Sequence, residues 1–70
     1  MKSVLNYNIR VTIIHMIQKN PNGIDTRQLA TKLSRRFSTP MARIYGNLST
    51  LVRNRQINIA SNKPHSIAYL

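Results

Sequence analysis

Seventy residues with no cysteine carry four Lys and seven Arg against a single Asp, a formal net charge of +10. The length allows one small domain, near the lower limit for a core without staples, and the absence of cysteine excludes disulfides and thiolate metal sites. Two distant histidines (His15, His65) and one carboxylate (Asp25) are too few for a metal centre or for acid–base chemistry, so neither cofactor nor enzyme activity is expected.

Self-repulsion at this charge opposes compactness, and the usual reason to tolerate it is a polyanionic partner such as nucleic acid. No apolar run approaches the roughly 20 residues that span a bilayer, so no membrane partner is expected. Met1-Lys2-Ser3-Val4-Leu5 is soon broken by Asn6-Tyr7-Asn8 and does not read as a signal peptide. A cytoplasmic location is the expectation that follows.

In chain order, residues 1–7 read as a short arm, pinned to the core by Val4 and Leu5. From Asn8 to Lys19, Ile9, Ile13, Met16 and Ile17 fall on one helical face, and Lys19 suits the dipole of the last turn. The β-branched run Val11-Thr12-Ile13-Ile14 would suit a strand, but strict alternation is missing and the periodic stretch is long. His15 sits beside the apolar face as a structural histidine. Asn20-Pro21-Asn22-Gly23 is strong turn punctuation and ends the helix.

Asp25-Thr26-Arg27-Gln28 has the form of a capping box, with Asp25 at the N-cap. Leu29, Ala30 and Leu33 then give a narrow apolar stripe, which predicts a short amphipathic helix over residues 26–35. Ser34-Arg35-Arg36-Phe37-Ser38 connects it onward, with Phe37 filling the corner.

The next helix opens at Thr39-Pro40: Thr39 is expected at the N-cap and Pro40 at the first helical position, where it forfeits no hydrogen bond. Ile44, Leu48, Leu51 and Val52 recur at helical spacing and are expected to be buried. Stepping about 100° per residue, the opposite face carries Ala42, Arg43, Gly46, Ser49, Thr50 and Arg53. That face is short-chained, hydroxylic, basic and free of acids, whereas a solvated face would mix Glu with Lys. Tyr45 and Asn47 flank it. Gly46 costs about 1 kcal/mol of helix propensity relative to Ala. Either something packs closely on it, or the missing side chain lets the helix approach a phosphate or a thymine methyl.

After Asn54-Arg55-Gln56, the segment Ile57-Asn58-Ile59 alternates as a half-buried strand does. Residues 60–66 read as a turn-rich loop with a basic tip, and Ile67-Ala68-Tyr69-Leu70 as a second strand with Ile67 and Tyr69 on one face. Two helices joined by a turn, the second presenting a basic face and followed by a β-hairpin, is a helix-turn-helix arrangement with a wing.

In Gly23-Ile24, Leu29-Ala30, the spaced Ile44, Leu48 and Leu51-Val52, Ile57 and the terminal Tyr69-Leu70, the chain resembles the winged-helix DNA-binding family of small bacterial and phage-type transcriptional regulators. The resemblance covers residues 9–70. It implies an α+β fold, a winged helix-turn-helix of three helices followed by a C-terminal β-hairpin wing, with residues 1–70 as one DNA-binding domain. The chain differs from the family in having Asn54-Arg55-Gln56 where many members have Gly before the first wing strand.

The mechanism implied is sequence-selective binding of double-stranded DNA without chemistry. The third helix lies in the major groove, with Arg43, Asn47 and Thr50, joined by Ala42 or Ser49, near base edges; Asn47 either pairs with adenine or is a solvated Asn. Arg35, Arg36, Arg53 and Arg55 contact phosphate. The wing tip, Asn62-Lys63-Pro64-His65, reaches the adjacent minor groove or its backbone. A module this small reads few base pairs, so a homodimer, an array or a second regulatory protein is expected. Two other readings stand beside this one: a nucleoid-associated architectural protein of low sequence specificity, and a protein-interaction module using the third helix. RNA fits less well, because Tyr7, Phe37, Tyr45 and Tyr69 are scattered and form no stacking platform.

Overall fold

The structure is a computed structural model and describes residues 4–62 and 65–70. Six elements follow one another: α1 (Val4–Gln18), β1 (Ile24–Asp25), α2 (Thr26–Arg36), α3 (Met41–Arg53), β2 (Asn58–Asn62) and β3 (His65–Tyr69). Three helices are followed by a hairpin, and the hairpin recruits β1 into a small antiparallel sheet in the order β1-β3-β2. This is an α+β arrangement compatible with a winged helix, as expected, with β1 as a third strand that the periodicities do not announce.

One core joins the layers. α1 contributes Ile9, Ile13 and Ile17, α2 Leu29, Ala30 and Leu33, α3 Ile44, Leu48 and Leu51, and the wing Ile57 and Ala68. The spacings of three and four along each helix place these side chains on one face apiece, which is why each helix packs inward. Leu5, Ile14, Met16, Ile24, Phe37 and Met41 close the margins of the core.

Several local expectations change. α1 begins at Val4, so residues 4–7 are its first turn and not an arm; Leu5 packs on the core, whereas Val4 is exposed. The helix ends at Gln18, one residue before Lys19, and the Asn20 side chain donates to the Met16 carbonyl at 2.6 Å. Gly23 has φ of +91°, and a side chain there would run into Ile67 of β3. Both conditions select glycine.

Asp25 caps α2 as the sequence suggests, accepting from the backbone N–H of Arg27 at 2.8 Å and of Gln28 at 3.1 Å. α2 continues through Arg36. It ends with the Thr39 N–H bonded to the Ser34 carbonyl (3.0 Å) and the Ser38 N–H to that of Arg35 (3.3 Å), the paired bonds of a Schellman motif. Ser38 takes the left-handed conformation this requires, φ 50°.

Thr39 is not the cap of α3. Its carbonyl accepts from the Ser34 hydroxyl at 2.5 Å and its residue is buried, so the motif that stops α2 consumes it. Pro40 moves into the cap position with extended backbone (φ −60°, ψ 147°) and no side-chain bond, and its carbonyl accepts from the Arg43 N–H at 3.0 Å. The ring's fixed φ suits the entry to the helix, but no side chain takes the accepting role expected of the threonine.

The hairpin is longer than the alternation suggested. β2 and β3 pair as far as Asn62 opposite His65, so residues 60–62 and 65–66 are strand rather than loop. Ile57 is buried just ahead of β2, whereas Ile59 is 37% exposed. Ile59 lies opposite Ala68, on the face that meets the helices. It belongs to the edge strand, though, and the helices cover the central strand β3, where Ala68 is fully buried.

Candidate nucleic-acid interface

α3 is amphipathic, and its burial pattern fixes which side faces outward. Ala42, Arg43, Gly46, Ser49 and Arg53 are exposed; Thr50 is half-buried, its hydroxyl donating to the Gly46 carbonyl at 3.1 Å. Five of the six residues assigned to the outward face are therefore open to solvent. The buried arc is turned relative to expectation: Val52 is 38% exposed, whereas Asn47 is only 5% exposed. On the helical wheel Asn47 lies about 60° to one side of Ile44 and Val52 about 80° to the other. α1 packs on the Asn47 side and covers it.

Asn47 accordingly does not stand on the outward face with the side chains expected to read bases. Its Oδ1 accepts from Arg10 Nη1 at 3.0 Å, and its Nδ2 donates to Asn6 Oδ1 at 3.1 Å and to the Arg43 carbonyl at 2.9 Å. Asn6 Oδ1 also accepts from Arg43 Nη1 at 3.1 Å. Two i,i+4 pairs, Asn6 with Arg10 on α1 and Arg43 with Asn47 on α3, interlock across the helix seam. A buried amide must satisfy its donors and acceptor, and this one does so with partners on both helices. Pairing with adenine would require breaking these bonds.

Asn6 and Arg10 did not stand out in the sequence. The available signal was that Arg10 is the only Lys or Arg within α1, a helix that also has no Asp or Glu. With Arg43 and Asn47 they line a concavity of about 520 Å³, together with Pro40, Ala42, Gly46 and Thr50. No carboxylate side chain joins it, since the single Asp caps α2.

Gly46 forms the open part of this concavity. A Cβ built there meets nothing within 4 Å, so close intramolecular packing does not explain the glycine. Its φ is not in the left-handed region either, where Gly23 is the one glycine. The helix bears its propensity cost without a conformational return.

The opposite departure occurs at the end of α3. The Gln56 N–H bonds the Leu51 carbonyl (2.9 Å) and the Arg55 N–H that of Val52 (3.0 Å), a second Schellman motif. Its left-handed position, φ 59°, is filled by Arg55, where glycine is the ordinary occupant. The strain of an L-residue there is about 1–2 kcal/mol. α3 thus has glycine where a helix disfavours it and arginine where a helix end prefers glycine. Departures of this kind concentrate at functional surfaces.

The remaining cations spread outward. Arg35 and Arg36 are exposed at the end of α2, with the Arg36 guanidinium carbon 5.9 Å from the Phe37 ring centroid. Arg53 and Arg55 are exposed at the end of α3. The backbones of Asn62 and His65 pair at the end of the hairpin; Lys63 and Pro64, named above as the wing tip, lie outside the described residues. Among the described residues no three His, Cys, Asp or Glu side chains are grouped as a metal site would require, and no helix is long and apolar enough to cross a membrane.

No protein-family model matches the chain, and comparison with curated proteins and with solved structures found no match either.

Proposed function

We propose that the chain is a small transcriptional regulator that binds double-stranded DNA with sequence preference. The observation that carries this reading is the outward face of α3: exposed, short-chained, basic and without a single acid, on a helix whose other side is anchored in the core. In this mode α3 enters the major groove with Ala42, Ser49 and Thr50 toward base edges and Arg43 at the rim. Arg35, Arg36, Arg53 and Arg55 neutralise phosphates, and the wing lies toward the neighbouring minor groove or its backbone. Asn47 serves as a positioning residue behind this face.

The longest dimension of the molecule is 36 Å, about one turn of duplex. Reading a longer operator then calls for two copies on successive half-sites or for a second protein. This activity belongs with genomic DNA at the nucleoid.

The net charge of +10 favours one further reading, an architectural protein that holds many sequences alike. Binding isotherms on the chain's own upstream region and on random duplex separate the two. A regulator prefers the former by at least tenfold and leaves a bounded footprint, whereas equal affinity establishes the architectural reading. Absence of binding to either duplex, with capture of an acidic protein instead, would assign the helix face to protein interaction.

A further inference from the structure

The concavity between α1 and α3 joins three features that the fold alone does not require. Gly46 opens it without being needed for backbone conformation or close packing. Arg10 and Arg43 stand at it from two different helices. Each is held by the side-chain oxygen of an asparagine, Arg10 by Asn47 at 3.0 Å and Arg43 by Asn6 at 3.1 Å.

The chemistry of these partners matters. An amide oxygen orients a guanidinium without neutralising it, whereas a carboxylate would do both. A guanidinium has five N–H donors, and each of these hydrogen bonds occupies one. Two oriented, unneutralised cations at one concavity repel each other in the absence of an anion, and a planar guanidinium fork matches the oxygens of a phosphate. We propose that the notch at Gly46, between Arg10 and Arg43, seats one backbone phosphate of duplex DNA. The inference rests on the DNA-binding reading above and extends it in two respects: Arg43, at the rim, holds the backbone, and Arg10 joins the interface. Glycine then serves to let the phosphate approach the helix backbone, with Asn6 and Asn47 as the positioning residues.

The test compares the wild-type chain with Arg10→Ala, Arg10→Lys and Gly46→Leu on a footprinted duplex and on random duplex across a salt series, with melting curves for each variant. Gly46→Leu projects into open space, so it is expected to melt no lower than wild type yet bind both duplexes at least tenfold more weakly. Arg10→Ala should reduce the slope of log affinity against log salt on both, by less than the roughly 0.9 of a whole phosphate, because Arg43 still reaches the same one. Arg10→Lys should retain the slope and lose affinity, because an ammonium cannot make the paired contact. Single methylphosphonate substitutions along the footprint add a readout that a loosened fold does not mimic. One neutralised position should weaken the wild type clearly more than it weakens Arg10→Ala, in which only Arg43 still holds that phosphate. If wild type binds duplex while Gly46→Leu and Arg10→Ala retain its affinity and slope, the notch carries no phosphate and only this inference fails. A loss confined to the footprinted sequence overturns it in favour of a base edge at the notch. If wild type binds neither duplex, the DNA reading fails with it.

Discussion

Arg10 donates a 3.0 Å hydrogen bond to the side-chain oxygen of Asn47, and this bond ties the first helix to the third at the edge of the outward face. A residue that in sequence resembles a base reader is thereby committed to the interior. Its amide serves three groups at once, on both helices.

Asn47→Ala should cost about 1–3 kcal/mol of folding stability, because it leaves part-buried donors and acceptors without a partner. Urea denaturation measures this directly. A change within about 0.5 kcal/mol, as for a surface asparagine, would show that the seam contributes little.

Leu48→Ala and Leu51→Ala should each destabilise by about 2–5 kcal/mol, since both side chains are almost wholly buried. Val52→Ala should cost well under half as much, being 38% exposed although the same apolar spacing includes it. Equal losses at all three positions in thermal melts would contradict the turned burial of α3.

Arg55→Gly should stabilise the fold by about 1 kcal/mol by relieving the left-handed strain. The same change should weaken duplex binding through the lost charge. Ser38→Gly supplies the control: it occupies the equivalent position after α2 and should stabilise without altering affinity. Stability and affinity moving together in Arg55→Gly would remove the case that arginine is kept there for binding.

Replacing Arg35 and Arg36 together by Ala should weaken binding to specific and random duplex alike and lower the salt slope by up to about 0.9 per lost phosphate contact. Affinity that is flat across salt in the wild type would rule out phosphate-dominated binding altogether.

The helices were legible because burial imposes a period: Ile9-Ile13-Ile17, Leu29-Leu33 and Ile44-Leu48-Leu51 could face only one way. The cap at Asp25 was legible because a local hydrogen bond sets it. What escaped depends on pairing at a distance. β1 is two residues long and has no pattern of its own; it exists because β3 lies beside it. The exchange of Asn47 and Val52 across the edge of the buried arc depends on where α1 lies, which the sequence of α3 does not encode. Arg10 was missed for the same reason, since its partner is on another helix. Ser38 and Arg55 were hidden because left-handed positions are ordinarily announced by glycine.

The sheet order β1-β3-β2 also sets a sequence of events in time. β2 and β3 are neighbours in the chain, and a hairpin of this kind closes in microseconds. Among the described residues β1 pairs with β3 alone, with Ile24 opposite Ala68, so its docking must await closure of a loop spanning most of the chain. The clasp formed by Gly23 against Ile67 should therefore form after the rate-limiting barrier. In stopped-flow measurements Gly23→Ala should speed unfolding and leave the refolding rate nearly unchanged, whereas Leu48→Ala slows refolding. Substitutions at this clasp would then change how long the native molecule persists without touching any residue on the outward face of α3.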